Sequence, residues 1–317
     1  MGVKLRRVKR VAAGVLAAAL TGVLAVSAVQ PAQAAKTRKR TDLVPGSFRV
    51  ASFNVLGASH TPPGGKRASG ETRIVWANQL LERHHVDVAG FQELQSPQLT
   101  KLMSITDGAW DFYPGLSLKR IDSENSIGWR TDKFTKVDAT TVNIPYFNGS
   151  PRAMPVVLLR DKASGMLTYF ANFHNPADTG RYPHQGKWRQ EATKIEIALQ
   201  NQLVARGIPR IMTGDMNDRA PYYCSVTAGA QLKAARPESY WRNGTCYANK
   251  PRAVDWILGS KRATYSSYVE DRSPLVAKTT DHPVIVTTVT VTPAQLVNGW
   301  QVDPPAPLSP RRTWTRH

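Results

Sequence analysis

Apolar residues occur along this chain in short runs separated by polar stretches that are rich in glycine and proline. The runs at 48–56 and 86–94 contain β-branched and aromatic residues, which is typical of buried strands. Between them, after the break at Gly64-Gly65, apolar positions recur at helical spacing and predict a helix. Those positions are Ile74, Ala77 and Leu81.

A second stretch repeats this alternation of strand and helix. Segments 167–174 and 208–213 are strand-like, and they flank an amphipathic helix that ends at Gly207. The apolar face of that helix consists of Trp188, Ala192, Ile195, Leu199 and Leu203. Strands alternating with helices predict an α/β fold, in the wider sense that includes α+β, with stacked layers.

Three further segments complete the predicted sheets. Segments 253–258 and 283–291 are apolar and predict strands, and 127–142 has the pattern of a hairpin. Because hairpins pair antiparallel while strands joined by helices can pair parallel, the sheets are predicted to be mixed.

The first 34 residues differ from the rest. A basic stretch without acids precedes an uncharged run at 11–29, and the small-residue pattern Ala32-Gln33-Ala34 follows. This order is typical of an export signal that is cleaved near Ala34, although a run of this length can also remain as a membrane anchor. We therefore predict a secreted, extracellular protein. Its predicted segments are a signal peptide (1–34), a basic lead-in (35–46), a domain (47–292) and a tail rich in proline and arginine (293–317).

Basic residues outnumber acidic residues strongly. The chain has 42 Lys and Arg against 23 Asp and Glu, a formal net charge of +19. Removal of the five basic residues of the signal leaves 37 basic residues and a formal charge of +14. Such a field attracts polyanions, namely nucleic acid, anionic lipid surfaces or acidic wall polymers. The charge alone does not show whether it serves to bind these partners or only to keep the protein soluble.

The cysteine content is consistent with export. Cys224 and Cys246 are the only cysteines of the sequence, and a chain that leaves the reducing cytosol is expected to join them in one disulfide. Two free thiols are the alternative. Neither cysteine has a neighbour at metal-ligand spacing, which argues against a metal site.

Several apolar strands end on, or pass through, polar residues that a core strand does not need. A buried carboxylate is costly without a partner, so Asp255 inside its apolar strand needs one. A histidine is suitable, because the carboxylate then fixes the tautomer of the ring. Taken singly, each of these residues has an ordinary structural explanation. The full set is Asn54, Glu93, His174, Asp215, Asn217, Asp255, Asp281 and His282.

Together, these blocks resemble the endonuclease/exonuclease/phosphatase family, which includes deoxyribonuclease I-like and exonuclease III-like enzymes. The resemblance extends from about residue 47 to 291 and rests on six blocks in order, among them Gly-Asp-Met-Asn at 214–217 and Thr-Asp-His at 280–282. It implies a secreted bacterial-type member. It also implies a single domain with a four-layer sandwich of two packed mixed β-sheets flanked by helices.

The resemblance also implies a metal site. Glu93 is similar to the principal Mg²⁺ carboxylate of the family, with Asn54 and Asp281 as further ligands of metal or water. Mg²⁺ prefers oxygen ligands and keeps several waters, so few protein ligands are needed. Mn²⁺ and Ca²⁺ are the alternative cofactors.

Further roles follow from the same resemblance. Asp255 and His282 resemble the orienting carboxylate and general base of the family. Glu124 is shifted by about one position from the glutamate that partners the second histidine in the deoxyribonuclease I pattern. The implied catalytic residues are His174, Asp215, Asn217, Asp255 and His282. The implied substrate-binding residues are Arg152, Asn217 and His174.

The implied reaction is attack of a water, activated by His282, on a phosphodiester. We predict extracellular nucleic acid, DNA first, as the substrate of a monomer without a protein partner. A sphingomyelinase-like phospholipid phosphodiesterase is the alternative enzyme, and a non-catalytic polyanion-binding protein is the alternative from another class. Aromatic residues that could contact a membrane or stack on bases are Tyr146-Phe147, Tyr222-Tyr223 and Tyr240-Trp241.

Overall fold

Two six-stranded sheets form the centre of the structure, a computed structural model that describes residues 36–39, 42–62, 64–118, 122, 124–296 and 300–303. The predicted signal peptide lies outside these residues. Within them, no helix is long and apolar enough to cross a membrane.

The described strands are, in chain order, β1 (Lys36–Lys39), β2 (Gly46–Asn54), β3 (Val88–Gln92), β4 (Trp110–Tyr113), β5 (Ile127–Arg130), β6 (Phe134–Pro145), β7 (Pro151–Asp161), β8 (Leu167–His174), β9 (Arg210–Asp215), β10 (Leu232–Ala234), β11 (Tyr240–Arg242), β12 (Thr245–Tyr247), β13 (Asp255–Ser260), β14 (Thr264–Asp271), β15 (Val284–Val291) and β16 (Trp300–Asp303). The described α-helices are α1 (Gly70–Arg83), α2 (Ser96–Thr106), α3 (Gly186–Ala205), α4 (Ala220–Ala230) and α5 (Pro274–Thr279).

Each large sheet has a parallel pair at its centre and antiparallel strands on both sides. The first sheet has the order β14–β15–β2–β3–β5–β4, with β2 parallel to β3. The second has the order β10–β13–β9–β8–β7–β6, with β8 parallel to β9. The prediction of two mixed sheets is therefore confirmed.

Alternate residues of the central strands face two different cores, because successive side chains of a strand point to opposite faces. Val50 of β2 packs with Phe170 of β8 between the two sheets. Phe53 of β2 instead packs with Leu80 of α1 on the outer face of the first sheet. On the outer face of the second sheet lies a third cluster that contains Leu199 of α3. The layers are thus helix, sheet, sheet and helix, as predicted.

A polar cluster joins the two sheets inside this core. Gln92 at the end of β3 donates from Nε2 to Oδ1 of Asn172 in β8 at 2.7 Å. Thr213 of β9 donates from its hydroxyl to the same oxygen at 3.0 Å. Opposite them, a Cβ at Gly90 of β3 would lie 1.9 Å from Oγ1 of Thr213. The sheets therefore approach each other too closely at this point for a side chain at position 90.

The predicted hairpin at 127–142 is wrong. Both halves are strands, but β5 pairs with β3 and β4 in the first sheet, while β6 pairs with β7 in the second. The turn between them, closed by a hydrogen bond from the Lys133 amide to the Arg130 carbonyl, carries the chain from one sheet to the other. Alternation of polar and apolar residues identified the strands but not their partners.

Two smaller strand pairs complete the fold. β1 pairs antiparallel with β16, with Lys36 opposite Asp303, so the predicted lead-in and tail meet in a two-stranded ladder. β11 and β12 form a short hairpin. The predicted disulfide is present: it joins Cys224 of α4 to Cys246 of β12, and the two Cα atoms are 5.8 Å apart. The disulfide thus ties this hairpin to the second sheet's helix layer.

Candidate active site

The predicted catalytic residues meet at one edge of the sandwich. β2 ends at Asn54 and β8 ends at His174, whose ladder partner is Asp215 at the end of β9. Asp255 begins the antiparallel strand β13 and lies opposite Asp215 in register. Because the central parallel pairs of both sheets end here, side chains from both sheets converge.

Asn54 is the bridge between the two sheets at this edge. Its Nδ2 donates to Oε1 of Glu93 at 3.0 Å and to Oδ2 of Asp215 at 3.1 Å. Its Oδ1 accepts the backbone N–H of Leu56 at 3.0 Å. The side chain is fully buried, so these bonds satisfy it and fix both carboxylates.

Glu93 is held as an anion. It follows β3 directly, and its positive φ of 59° turns the chain away from the strand. Burial alone would raise the pKa of this carboxyl, but the hydrogen bond with His60, the charge of His174 and hydrogen bonds from Gly57 and Asn54 lower it well below its usual value. The site therefore presents a preformed, partly exposed negative charge.

Asp255 and His282 form a pair. Nδ1 of His282 lies 3.1 Å from Oδ1 and 3.2 Å from Oδ2 of Asp255. Nε2 points the other way and lies 3.5 Å from Oδ2 of Asp215. The segment that carries His282 is anchored by Thr280, whose hydroxyl donates to the Asn54 carbonyl at 2.7 Å. Asp255 therefore has the histidine partner that the sequence required.

The carboxylates around His282 favour its protonated form. Burial lowers the pKa of the ring, but Asp255, through its charge and its hydrogen bond, and the charges of Asp215 and Asp281 raise it to about 10. In the protein alone, the imidazolium therefore dominates at neutral pH. A divalent cation bound nearby would lower this pKa, because its positive charge would oppose protonation of the ring.

His174 has a different partner from the one its resemblance suggested. Its Nδ1 lies 3.4 Å from the hydroxyl of Tyr146, and its Nε2 lies 3.7 Å from Oδ2 of Asp215. Glu124 instead accepts hydrogen bonds from Gln95 and from Arg152, each at 3.2 Å. The guanidinium of Arg152 also lies 4.3 Å from the centre of the Tyr146 ring. Arg152 is thus fixed against Tyr146, which in turn contacts His174.

Asn217 and Asp281 are placed less centrally than the other predicted residues. Asn217 donates from Nδ2 to the carbonyl of Asn175 at 2.9 Å, and its own N–H donates to Oδ1 of Asp215 at 3.0 Å. Asp281 is exposed, and its charge raises the pKa of both His60 and His282. It therefore lies within electrostatic reach of both ends of the site.

The donor set suits a hard divalent cation. Oxygen ligands dominate, and Glu93 is already ionised in a partly exposed position. Among the described residues, ligand atoms of Asp215, Asp255 and His282 lie within 4.8 Å of one another, which is a second possible arrangement. Asn54, Glu93 and Asp281 remain the predicted metal ligands.

Three supporting residues, His60, Arg73 and Tyr146, were not among the predicted site residues. His60, from a turn after β2, lies 3.2 Å from Oε2 of Glu93. Arg73 is fully buried on the apolar face of α1, where its guanidinium donates to the carbonyls of Val55 and Thr279 at 2.7 and 3.0 Å. An arginine beside Ile74 on a core-facing helix stripe was the available signal. The sequence singled out Tyr146 only as part of the pair Tyr146-Phe147, which could contact a membrane or stack on bases.

This fold and this cluster of buried carboxylates and histidines define a class of α/β-sandwich hydrolases that act on phosphoester bonds. The sequence matches the Endonuclease/Exonuclease/phosphatase family over residues 51–282, and the chain belongs to that family. Enzymes of the family depend on divalent metals. No curated protein matches the sequence.

Solved structures share the fold at low sequence identity. A family member from Bacteroides vulgatus has a TM-score of 0.61 at 18% identity, with 77% of this chain and 98% of that chain covered. A mannosyl-6-phosphatase from Bacteroides thetaiotaomicron has a TM-score of 0.58 at 21% identity, with 76% and 99% covered. TDP2 from D. rerio, in complex with a single strand DNA product, has a TM-score of 0.54 at 15% identity, with 77% and 98% covered. These likenesses concern the fold.

Proposed function

We propose that this protein is a secreted, divalent-metal-dependent phosphodiesterase that hydrolyses extracellular nucleic acid, with DNA as the first candidate. The observation that carries the proposal is the contact of the Asp255–His282 pair with Asp215, next to Asn54 and the ionised Glu93. This arrangement supplies a base, an orienting carboxylate and a negative pocket for a cation.

The residues divide the work on a phosphodiester. In its neutral form, His282 accepts at Nε2 a proton from the attacking water, while Asp255 holds the ring by accepting the N–H of Nδ1. The water oxygen attacks phosphorus in line, the opposite P–O bond breaks, and the leaving oxygen takes a proton from solvent. His282 then returns to its neutral form by releasing the proton of the attacking water to solvent. His174 and Asn217 donate to the phosphoryl oxygens. When bound, a divalent cation supplies positive charge for the developing negative charge; Glu93, Asn54 and Asp281 would hold it.

Nucleic acid is the favoured substrate for reasons of charge. A formal charge of +14 after removal of the signal favours a long polyanion over a single head group. Export argues against an intracellular repair role. TDP2, whose structure holds a single strand DNA product, shares the fold, which supports this substrate class by analogy only.

A phospholipid phosphodiesterase is the second candidate, because one aromatic cluster is exposed. Tyr240, Trp241 and Tyr247 of the β11–β12 hairpin are between 44% and 46% exposed, as expected of a loop that contacts a membrane. Tyr222 and Tyr223, in contrast, are buried, so they serve packing.

The test is hydrolysis of plasmid DNA, RNA, sphingomyelin and p-nitrophenyl phosphate by the chain without residues 1–34, with Mg²⁺ and with excess EDTA. We expect cleavage of nucleic acid that EDTA abolishes. Release of phosphocholine with intact DNA would favour the lipid enzyme, and hydrolysis of p-nitrophenyl phosphate alone would favour a monoesterase such as the mannosyl-6-phosphatase named above. Binding of DNA without hydrolysis of any substrate would favour the non-catalytic polyanion-binding protein. Mass measurement of the exported chain checks cleavage near Ala34.

A further inference from the structure

A cavity of about 330 Å³ is lined by Tyr146, the neighbour of His174, and by Arg152. Its wall includes Tyr146, Phe147, Arg152 and Tyr182, which we call the aromatic pocket. Two members of this wall also touch the active site, since Tyr146 lies 3.4 Å from His174 and Arg152 pairs with Glu124. A group bound in the aromatic pocket would therefore be a near neighbour of the reacting phosphate.

The wall of the pocket combines flat rings with positive charge. The rings of Phe147 and Tyr182 stack on each other, parallel within 10° and with centres 4.3 Å apart, so they form one platform with no space for a base between them. Arg152 lies over the ring of Tyr146, and the guanidinium of Arg181 lies 5.3 Å from the centre of the Tyr182 ring. Rings and guanidinium planes are the surfaces on which unpaired nucleobases stack.

The pocket is held in shape by its own frame. The Asn148 amide N–H donates to Oε1 of Gln185 at 2.9 Å, and Nε2 of Gln185 donates back to Oδ1 of Asn148 at 3.2 Å. Next to them, the backbone of Gly149 packs on the ring of Trp188, where a Cβ would lie 2.6 Å from the ring. The turn between β6 and β7 is thereby fixed to the start of α3, and binding requires little new ordering.

We propose that the aromatic pocket binds one nucleobase of a single strand, next to the phosphodiester that is hydrolysed. This inference rests on the proposed function and specifies the substrate as an unstacked nucleotide. A duplex would then need its bases separated locally, so single-stranded nucleic acid is the better substrate. The basic rim favours a nucleotide over a neutral ring, because the adjoining phosphates are anionic.

Binding can be measured without turnover. A single-stranded DNA oligonucleotide that contains 2-aminopurine is titrated with protein in excess EDTA, and its fluorescence reports stacking. We expect Phe147→Ala and Tyr182→Ala to raise the Kd by about 5- to 100-fold, the effect of losing one stacked base. Tyr182→Phe keeps the ring and is expected to keep the wild-type Kd. Met103→Ala, which truncates an exposed apolar side chain of α2, is the control and is expected to change the Kd less than twofold.

Turnover separates this inference from the function on which it rests. A thymidine dinucleotide has one scissile phosphodiester, and we compare it with two analogues, each of which lacks one of the two bases. In Mg²⁺, we expect the wild type to hydrolyse one of these analogues with a lower kcat/KM than the full dinucleotide. We expect Tyr182→Ala to hydrolyse both analogues and the dinucleotide with similar kcat/KM. Wild-type binding and turnover in both alanine variants, or no oligonucleotide binding by the wild type, would overturn the aromatic pocket. If the wild type cleaves neither DNA nor RNA, the proposed function fails instead, whatever the binding data show.

Discussion

At the scale of single residues, Asp215 organises the site. Its Oδ2 accepts from Asn54 and faces Nε2 of both histidines, while its Oδ1 accepts the Asn217 N–H. One almost fully buried carboxylate thus sets the positions of groups from both sheets. Its negative charge is tolerated because each oxygen has polar partners.

The Asp255–His282 pair can be tested at this scale. Asp255→Asn keeps an oxygen near Nδ1 but removes the charge that raises the pKa of His282, so that pKa falls below about 10 toward the ordinary value. We expect the change to show in an NMR titration of His282 in EDTA. We also expect kcat to fall by about 100-fold or more.

The control for that substitution is Glu191→Gln, which removes a half-exposed carboxylate paired only at the surface with Lys194. Its kcat and its His282 titration should match the wild type. An Asp255→Asn protein with wild-type kcat and an unchanged titration would show that the pair contributes neither charge nor orientation.

At the scale of secondary-structure elements, the close approach of β3 and β9 inside the sandwich helps to hold the two strand ends that carry the site. Gly90→Ala introduces a methyl group 1.9 Å from Oγ1 of Thr213, so the sheets must separate or the Gln92–Asn172–Thr213 cluster must break. We expect a loss of unfolding free energy of about 1–3 kcal/mol. Gly180→Ala is the matched control, because a Cβ there meets nothing within 4 Å. Equal denaturation midpoints for the two variants would contradict the close approach.

Elements were predictable from sequence where burial alone specifies them. The apolar run at 167–174 has the same bounds as β8. Every residue of that strand is buried, so the apolar residues alone mark where it begins and ends. The pairing of the strands in 127–142 was not predictable, because the alternation of polar and apolar residues shows which face of a strand is buried. It does not show which other strand pairs with it. The same limit explains the partner of His174: Tyr146 reaches it because β6, β7 and β8 pair in sequence, and the local spacing around His174 does not encode the register of those pairings.

At the scale of the whole molecule, the disulfide is the covalent link between the second sheet's helix layer and the loop that leads to Asp255. It closes a loop with a sequence separation of 22 residues, which constrains the unfolded chain by about 3 kcal/mol in the loop-entropy estimate. We therefore expect reduction to lower the Tm by several degrees, about 6 to 12 °C.

Calorimetry with and without reductant measures this shift. In Cys224→Ser/Cys246→Ser the reductant should have no effect, which separates loss of the disulfide from other actions of the reagent. A wild-type Tm that reductant leaves unchanged would mean that the link does not limit unfolding.

The ladder of β1 with β16 brings the two ends of the described segment 36–303 together, because Lys36 lies opposite Asp303. A short peptide could join these strands, and new ends could be opened in an exposed turn such as Arg242–Thr245 between β11 and β12. Every strand that carries an active-site residue would stay intact in such a rearranged gene. The order in which the strands are synthesised could then be varied independently of the architecture they build.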